Sequence, residues 1–241
     1  AGRLHLCGHW APAALVDGLE ALCEQRIRRA VEGRACRLLV PVGGAGGQLG
    51  LLERFVRGLG RHLRAGRVQL LLNVGDHSGM VPRFLRALRQ VGLHEGPGGG
   101  VLVARRKDPS ALVGPAAEWR VLLCAPEGDA AVTATDDLAK VADVLCCKPS
   151  ELAFYPIPKL MLHRLGEHEA PSAVRAAELG DGTPELTEVG EALSCMEAFL
   201  ADPALLVSMN ECIVRNHRAG VYDGCRNAVD LAVELSQRAR P

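Results

Sequence analysis

Apolar positions along the chain switch repeatedly between two spacings. Short, branched, uninterrupted runs end in turn residues and read as buried strands: RLLVPV at 37–42, RVQLLLNV at 67–74, 101–105, WRVLLC at 119–124, DVLCC at 143–147 and KLMLH at 159–163. Between and after them, apolar residues recur at helical spacing. Leu49, Leu52, Phe55, Val56, Leu59 and Leu63 predict a helix over 48–64, and Val81, Leu85, Leu88 and Val91 a second with Ser78 as its N-cap. A short helix over 135–142 is predicted from a Thr135 cap with Asp136 and Asp137 in its first turn. Beyond the last strand the pattern is helical at about 170–179, 185–200, 203–218 and 221–238.

Strands apolar on both faces, alternating with helices, predict a parallel sheet covered on both sides. With right-handed crossovers the fold class is α/β: a doubly wound, mostly parallel six-stranded Rossmann-like sheet with helices on both faces and a helical C-terminus. Residues 1–36 precede the first strand and are expected to form an incoming linker and an edge helix (15–31), leaving 37–241 as the ligand-binding domain. Ligands of such sheets sit beyond the carboxyl ends of the strands, near a topological switch point.

Composition narrows the function classes. The 241 residues carry 28 basic and 28 acidic side chains, so no net charge draws the chain to nucleic acid. The arginines are spread through predicted helices and read as solvated faces. Nine cysteines, an odd number without a C-x-x-C pair, support neither a disulfide framework nor a four-thiolate zinc site and fit a reducing, cytoplasmic setting. No apolar run is long enough to span a membrane, which leaves at most peripheral membrane contact. The first residue is Ala, as in a processed chain or a piece of a longer one.

Three loops could carry chemistry. Gly43-Gly44-Ala45-Gly46-Gly47 follows a strand and opens a helix, where glycines admit an anion to free backbone N–H groups. Its spacing is neither G-x-G-x-x-G nor a Walker loop, so a bare tight turn competes. Lys148-Pro149-Ser150-Glu151 follows the fifth strand; Ser150 could grip a phosphate or simply cap a helix, and Glu151 could accept from ribose hydroxyls. Gly166-Glu167-His168-Glu169 follows the sixth strand. Adjacent residues do not share a helix face, so sugar hydroxyls suit this trio better than a metal, and an exposed helix start is the alternative. Gly180-Asp181-Gly182-Thr183 reads as a helix stop, while Asp76 and His77 stand at a strand's carboxyl end. No catalytic residue stands out.

The order of these pieces resembles the donor-binding, C-terminal half of GT-B glycosyltransferases, nearest to the bacterial lipid-linked GlcNAc transferase of peptidoglycan synthesis and the plant monogalactosyldiacylglycerol synthases. RLLVPVGGAGGQLG is similar to the strand and glycine loop opening that half, TDDLAKVADVLCCKPSE to its later helix, strand and loop, and PIPKLMLHRLGEHEAPSA to the following strand and loop. ADPALLVSM is similar to its late helix, and GHWAP at 8–12 to the linker entering it. The resemblance implies a UDP-linked nucleotide-sugar substrate and no further cofactor or metal. It implies phosphate contacts from Gly43, Gly44, Gly46, Gly47 and Ser150, ribose contact from Glu151, and Glu167, His168 and Glu169 facing the sugar. Ser150 stands where these families often have glycine, and Pro156 and Pro158 shorten the helix after it. The acceptor would belong to an N-terminal domain or separate subunit. A nucleotide-sugar epimerase of the same fold and a non-catalytic regulatory domain are the alternatives.

Overall fold

The computed structural model describes residues 4–42, 47–106, 108–114 and 118–238. In chain order the elements begin with α1 (Ala13–Val16), α2 (Leu19–Val31) and β1 (Cys36–Pro41). There follow α3 (Leu49–Gly58), α4 (Gly60–Arg64), β2 (Val68–Asn73), α5 (Val81–Arg89), β3 (His94–Glu95), β4 (Gly100–Ala104) and β5 (Val121–Cys124). The second half contains α6 (Asp129–Val141), β6 (Val144–Cys147), β7 (Lys159–Met161), α7 (Ala170–Leu179), α8 (Val189–Ala201), α9 (Pro203–Arg218) and α10 (Gly224–Arg238).

All the strands pair in parallel in the order β3-β4-β5-β2-β1-β6-β7. The sheet has seven strands rather than six, because the two-residue β3 at the edge is too short to leave an apolar pattern. Period-two alternation sorts the strand residues between two cores. Leu38, Val40, Leu70 and Leu72 face Phe55, Val56, Phe84, Leu88 and Met196 of α3, α5 and α8. Leu39, Leu71, Leu122 and Leu145 face Leu138 and Ala139 of α6 and Ala173 and Ala176 of α7. Each face is therefore dry, which is why the strands read as continuous apolar runs.

Helix boundaries differ from the sequence pattern where other parts of the chain intervene. The helix over 48–64 is two, α3 and α4, broken around Leu59. Its glycines allow close approach: a Cβ on Gly58 would lie 2.4 Å from Leu193 and one on Gly60 2.6 Å from Val91. The 15–31 helix is interrupted at residues 17 and 18: extended Asp17 ends α1, and Gly18, with a left-handed φ of 75°, precedes α2. A 3-10 turn occupies Ser78–Met80, and α5 starts after it, so Ser78 is not the cap of that helix. Thr135 is not a cap either. It lies inside α6, where its hydroxyl accepts from the Asn73 amide at 2.9 Å. Residues 182–186 run beside β7 through bridges to Lys159 and Leu162, which delays α8 to Val189. The bridge between Trp10 and Asp223 similarly delays α10.

The N-terminal helices are bound into this frame. Arg26 of α2 is buried and donates to the carbonyls of Ala139 and Ala142 at 3.1 and 3.0 Å, satisfying the end of α6, and to Pro156 at 3.3 Å. Arg29 of the same helix pairs with buried Asp143 at 2.9 Å, and Asp143 also accepts from the Arg37 N–H at 2.8 Å. Behind α2, Leu19 and Cys23 pack on Ile213 and Tyr222.

Two histidines link the fold to pH. Burial lowers the pKa of His9, with opposing attraction from Asp181, and burial with Arg61 and Arg67 lowers that of His62. Both therefore bind a proton more weakly in the fold, and the unfolded chain takes up protons first as pH falls below about 6.5. Their stabilisation is present above that pH and lost below it. Urea midpoints should drop between pH 7.5 and 5.5, and the drop should shrink in His9→Gln/His62→Gln. An equal drop in the double variant would remove these residues as its cause.

Candidate functional site

Strand order creates one switch point. From β1 the chain turns to one side, into α3 and β2, whereas β6 and β7 extend the sheet on the other side. The connecting loops leaving β1 and β6 therefore lead to opposite sides of the sheet, the arrangement at whose carboxyl edge α/β sheets bind ligands. Those loops are 42–48 and 148–151, with the β7 loop (162–169) next to them.

Gly43, Gly44 and Gly46 lie outside the described residues. Gly47 is exposed and abuts the β7 loop: a Cβ there would sit 3.0 Å from Leu165 Cδ1. The neighbouring Gln48 amide donates to the His163 carbonyl, tying the β1 loop to the β7 loop. Ser150 is half-buried, just ahead of a short 3-10 helix (Glu151–Phe154), and its side chain does not cap that helix. Of Glu151 the structure describes the backbone alone.

The Glu167, His168 and Glu169 side chains diverge. Glu169 is buried, paired with Lys148 and accepting from the Leu165 N–H at 2.7 Å. Burial pushes its carboxyl up, but these hydrogen bonds outweigh it and hold it below the ordinary carboxylate range. Glu167 is exposed and pairs with Arg164 at 3.0 Å, and His168 is exposed. The β7 loop is thereby braced from both sides, by Gln48 to the β1 loop and by Lys148 to the β6 loop.

Several of these contacts escape sequence reading. Glu185, expected within a helix, instead accepts from the Arg164 N–H at 2.8 Å and pairs with His163 at 2.9 Å and with the Arg164 guanidinium. Asn73, buried at the end of β2, accepts from the Gly75 N–H at 3.1 Å while donating to Thr135. Lys148, for which a solvated strand end was the alternative, is three-quarters covered. A polar residue ending a buried strand was the available signal for Asn73 and Lys148. Asp76 and His77, just past β2, form a loose exposed pair at 3.7 Å. Among the described residues no three His, Cys, Asp or Glu side chains converge to hold a metal.

Residues 1–233 match the family described as domain of unknown function DUF6938. The chain belongs to the DUF6938 family. A comparison with curated proteins gives no match. Among solved structures, this DUF6938 chain is similar to an S. aureus MnaA–UDP co-structure at 14% identity and TM-score 0.49, over 84% of this chain and 46% of that one. It is also similar to an α,α-trehalose 6-phosphate synthase from Burkholderia multivorans (15%, TM-score 0.45, 94% and 50%). A UDP-forming α,α-trehalose-phosphate synthase from Burkholderia vietnamiensis gives 14%, TM-score 0.47, 96% and 50%. The chain spans about half the length of each of these structures. No single helix among the described residues is long and apolar enough to cross a membrane.

Proposed function

We propose that this domain binds a nucleotide sugar, UDP-linked in the first instance, as the donor half of a GT-B type glycosyltransferase. The observation that carries the proposal is the switch point between β1 and β6, flanked by a glycine loop and by Lys148–Glu151. In this reading the diphosphate lies against Gly43, Gly44, Gly46, Gly47 and Ser150, where backbone N–H groups supply positive partial charge without a metal. Glu151 takes the ribose. Glu167 and His168 face the sugar from the exposed side of the β7 loop, and Glu169 joins them by releasing Lys148, whose ammonium is then free to neutralise the diphosphate.

The acceptor half is proposed to dock on an apolar edge at the chain's two ends. Leu4, Leu6 and Trp10 are 86%, 95% and 67% exposed, and Val229, Val233 and Leu235 of α10 are at least 49% exposed. The arm is held against α10 by Asn227, which donates to the Cys7 carbonyl at 2.9 Å. An edge this apolar favours a protein partner over water. Cys23, Cys36, Cys124 and Cys146 are buried thiols in no disulfide, which suits a reducing cytoplasm. The occupied Glu169 and the single 3-10 turn after Ser150 favour, as a second reading, a domain that binds the nucleotide sugar without turning it over.

Thermal shift separates these ideas from a bare fold. At one hundred times Kd a true ligand stabilises by about 2.7 kcal/mol, raising Tm by roughly 5–10 °C in a chain of this size. UDP and UDP-sugars are expected to do so, ADP less, and Glu151→Ala should remove the ribose-dependent part. No shift with any nucleotide overturns the proposal.

A further inference from the structure

The 28 basic and 28 acidic residues cancel over the whole chain, yet their distribution is uneven. Between Gln48 and Leu93 stand eight arginines against Glu53 and Asp76 alone. Of the arginines sequence reading took as scattered, Arg57, Arg83 and Arg86 of α3 and α5 meet around one cavity. Several have partners: Arg61 pairs with Glu197, and Arg67 donates to the Leu200 carbonyl at 3.1 Å. Arg83 is held in a two-pronged pair with Glu53, at 2.7 and 3.2 Å.

Arg57 and Arg86 have no ion-pair partner among the described residues. Both line a cavity of about 310 Å³ between α3 and α5, together with Gln90 and the Glu53–Arg83 pair. Ala87 in its wall leaves the room that a larger residue would take. The two helices are fixed beneath it by Phe55 and Val56 against Phe84 and Leu88, so the guanidinium groups are presented from a rigid base. Basic residues in the last turns of α3 and α5 also suit the helix dipoles. The dipole does not require two unpaired guanidinium groups to share one cavity, where they repel each other.

We propose that Arg57, Arg86 and Gln90 form a binding site for a phosphate ester or diphosphate, on the helical layer and away from the strand-end loops. Two unpaired guanidinium charges match the charge of a phosphate monoester near neutral pH, and their planar forks match its oxygens. Gln90 supplies a neutral amide donor. Glu53, already engaged by Arg83, keeps that third arginine in place. The lining has no aromatic side chain on which a base could stack, so the phosphate itself is what the site recognises.

Titration of the chain with inorganic pyrophosphate at constant ionic strength, read by calorimetry, tests the site. Arg57→Gln and Arg86→Gln should each weaken binding about tenfold, while Arg89→Gln, on the same helix but outside the cavity, should not. Sedimentation with phosphatidic acid vesicles, lost in Arg57→Gln and kept in Arg89→Gln, without a pyrophosphate response, would assign the phosphate to a lipid headgroup at this same site. A pyrophosphate signal lost in Gly47→Val but kept in Arg57→Gln belongs to the strand-end loops and overturns the proposal. So do equal weakening by Arg89→Gln, binding of duplex DNA alone, and no response to any of these probes.

Discussion

Replacing Asp181 by alanine is expected to destabilise the fold by about 3–5 kcal/mol, the cost of stranding a buried charge. Lys159 and Asp181 are 0% and 1% exposed and pair at 2.9 Å. The ammonium also donates to the carbonyls of Tyr155 and Ile157, at 2.8 and 3.0 Å, and these accept hydrogen bonds without neutralising charge. Buried Tyr222 donates its hydroxyl to the other Asp181 oxygen at 2.7 Å, so the same change also removes the acceptor of its O–H. Asp181 thereby joins the start of β7, the segment leading into α10 and, through the ring contacts of His9 with Tyr222, the N-terminal arm. The double variant Lys159→Met/Asp181→Leu removes both charges and should recover most of the loss. Urea unfolding of the three proteins decides the matter; an Asp181→Ala midpoint within about 1 kcal/mol of the parent would show that the charge is not stranded.

Gly47→Val should abolish stabilisation by every nucleotide while leaving the fold intact. The first added carbon already meets Leu165 Cδ1 at 3.0 Å, and valine brings two more methyl groups to the backbone beside the switch point. Leu165 is 55% exposed, and its far end can turn into solvent, so the fold loses little. The space a diphosphate would occupy against the backbone is what disappears. The full Tm rise of roughly 5–10 °C with UDP should vanish. The pair Gly47→Ala/Leu165→Ala, which relieves the crowding against Leu165, should regain part of it. An unchanged UDP shift in Gly47→Val would move the nucleotide away from this loop.

Much of the frame was legible because its determinants are local. RLLVPV, WRVLLC and DVLCC are apolar on both faces, a pattern that only a sheet covered on both sides can bury, and the strands form within a residue or two of those runs. The edge strand His94–Glu95 was not legible: two exposed residues have no periodicity, and only the neighbouring β4 makes them a strand. The break between α3 and α4 was hidden because its glycines answer to Val91 and Leu193, more than thirty residues downstream. Thr135 looked like a cap for want of any sign of Asn73, its partner across the sheet edge.

The candidate site divides the same way. Sequence alone determined that three polar or glycine-rich loops follow three apolar strands, since strand ends and turn residues are written locally. Only the tertiary structure decided that β1, β6 and β7 are neighbours, so that these loops share one edge. It also decided that Glu169 turns inward to Lys148 while Glu167 turns out to Arg164, because ion pairing depends on which loops lie side by side. The arginines of α3 and α5 looked merely solvated along the chain; packing α3 against α5 is what brings Arg57 and Arg86 to one cavity.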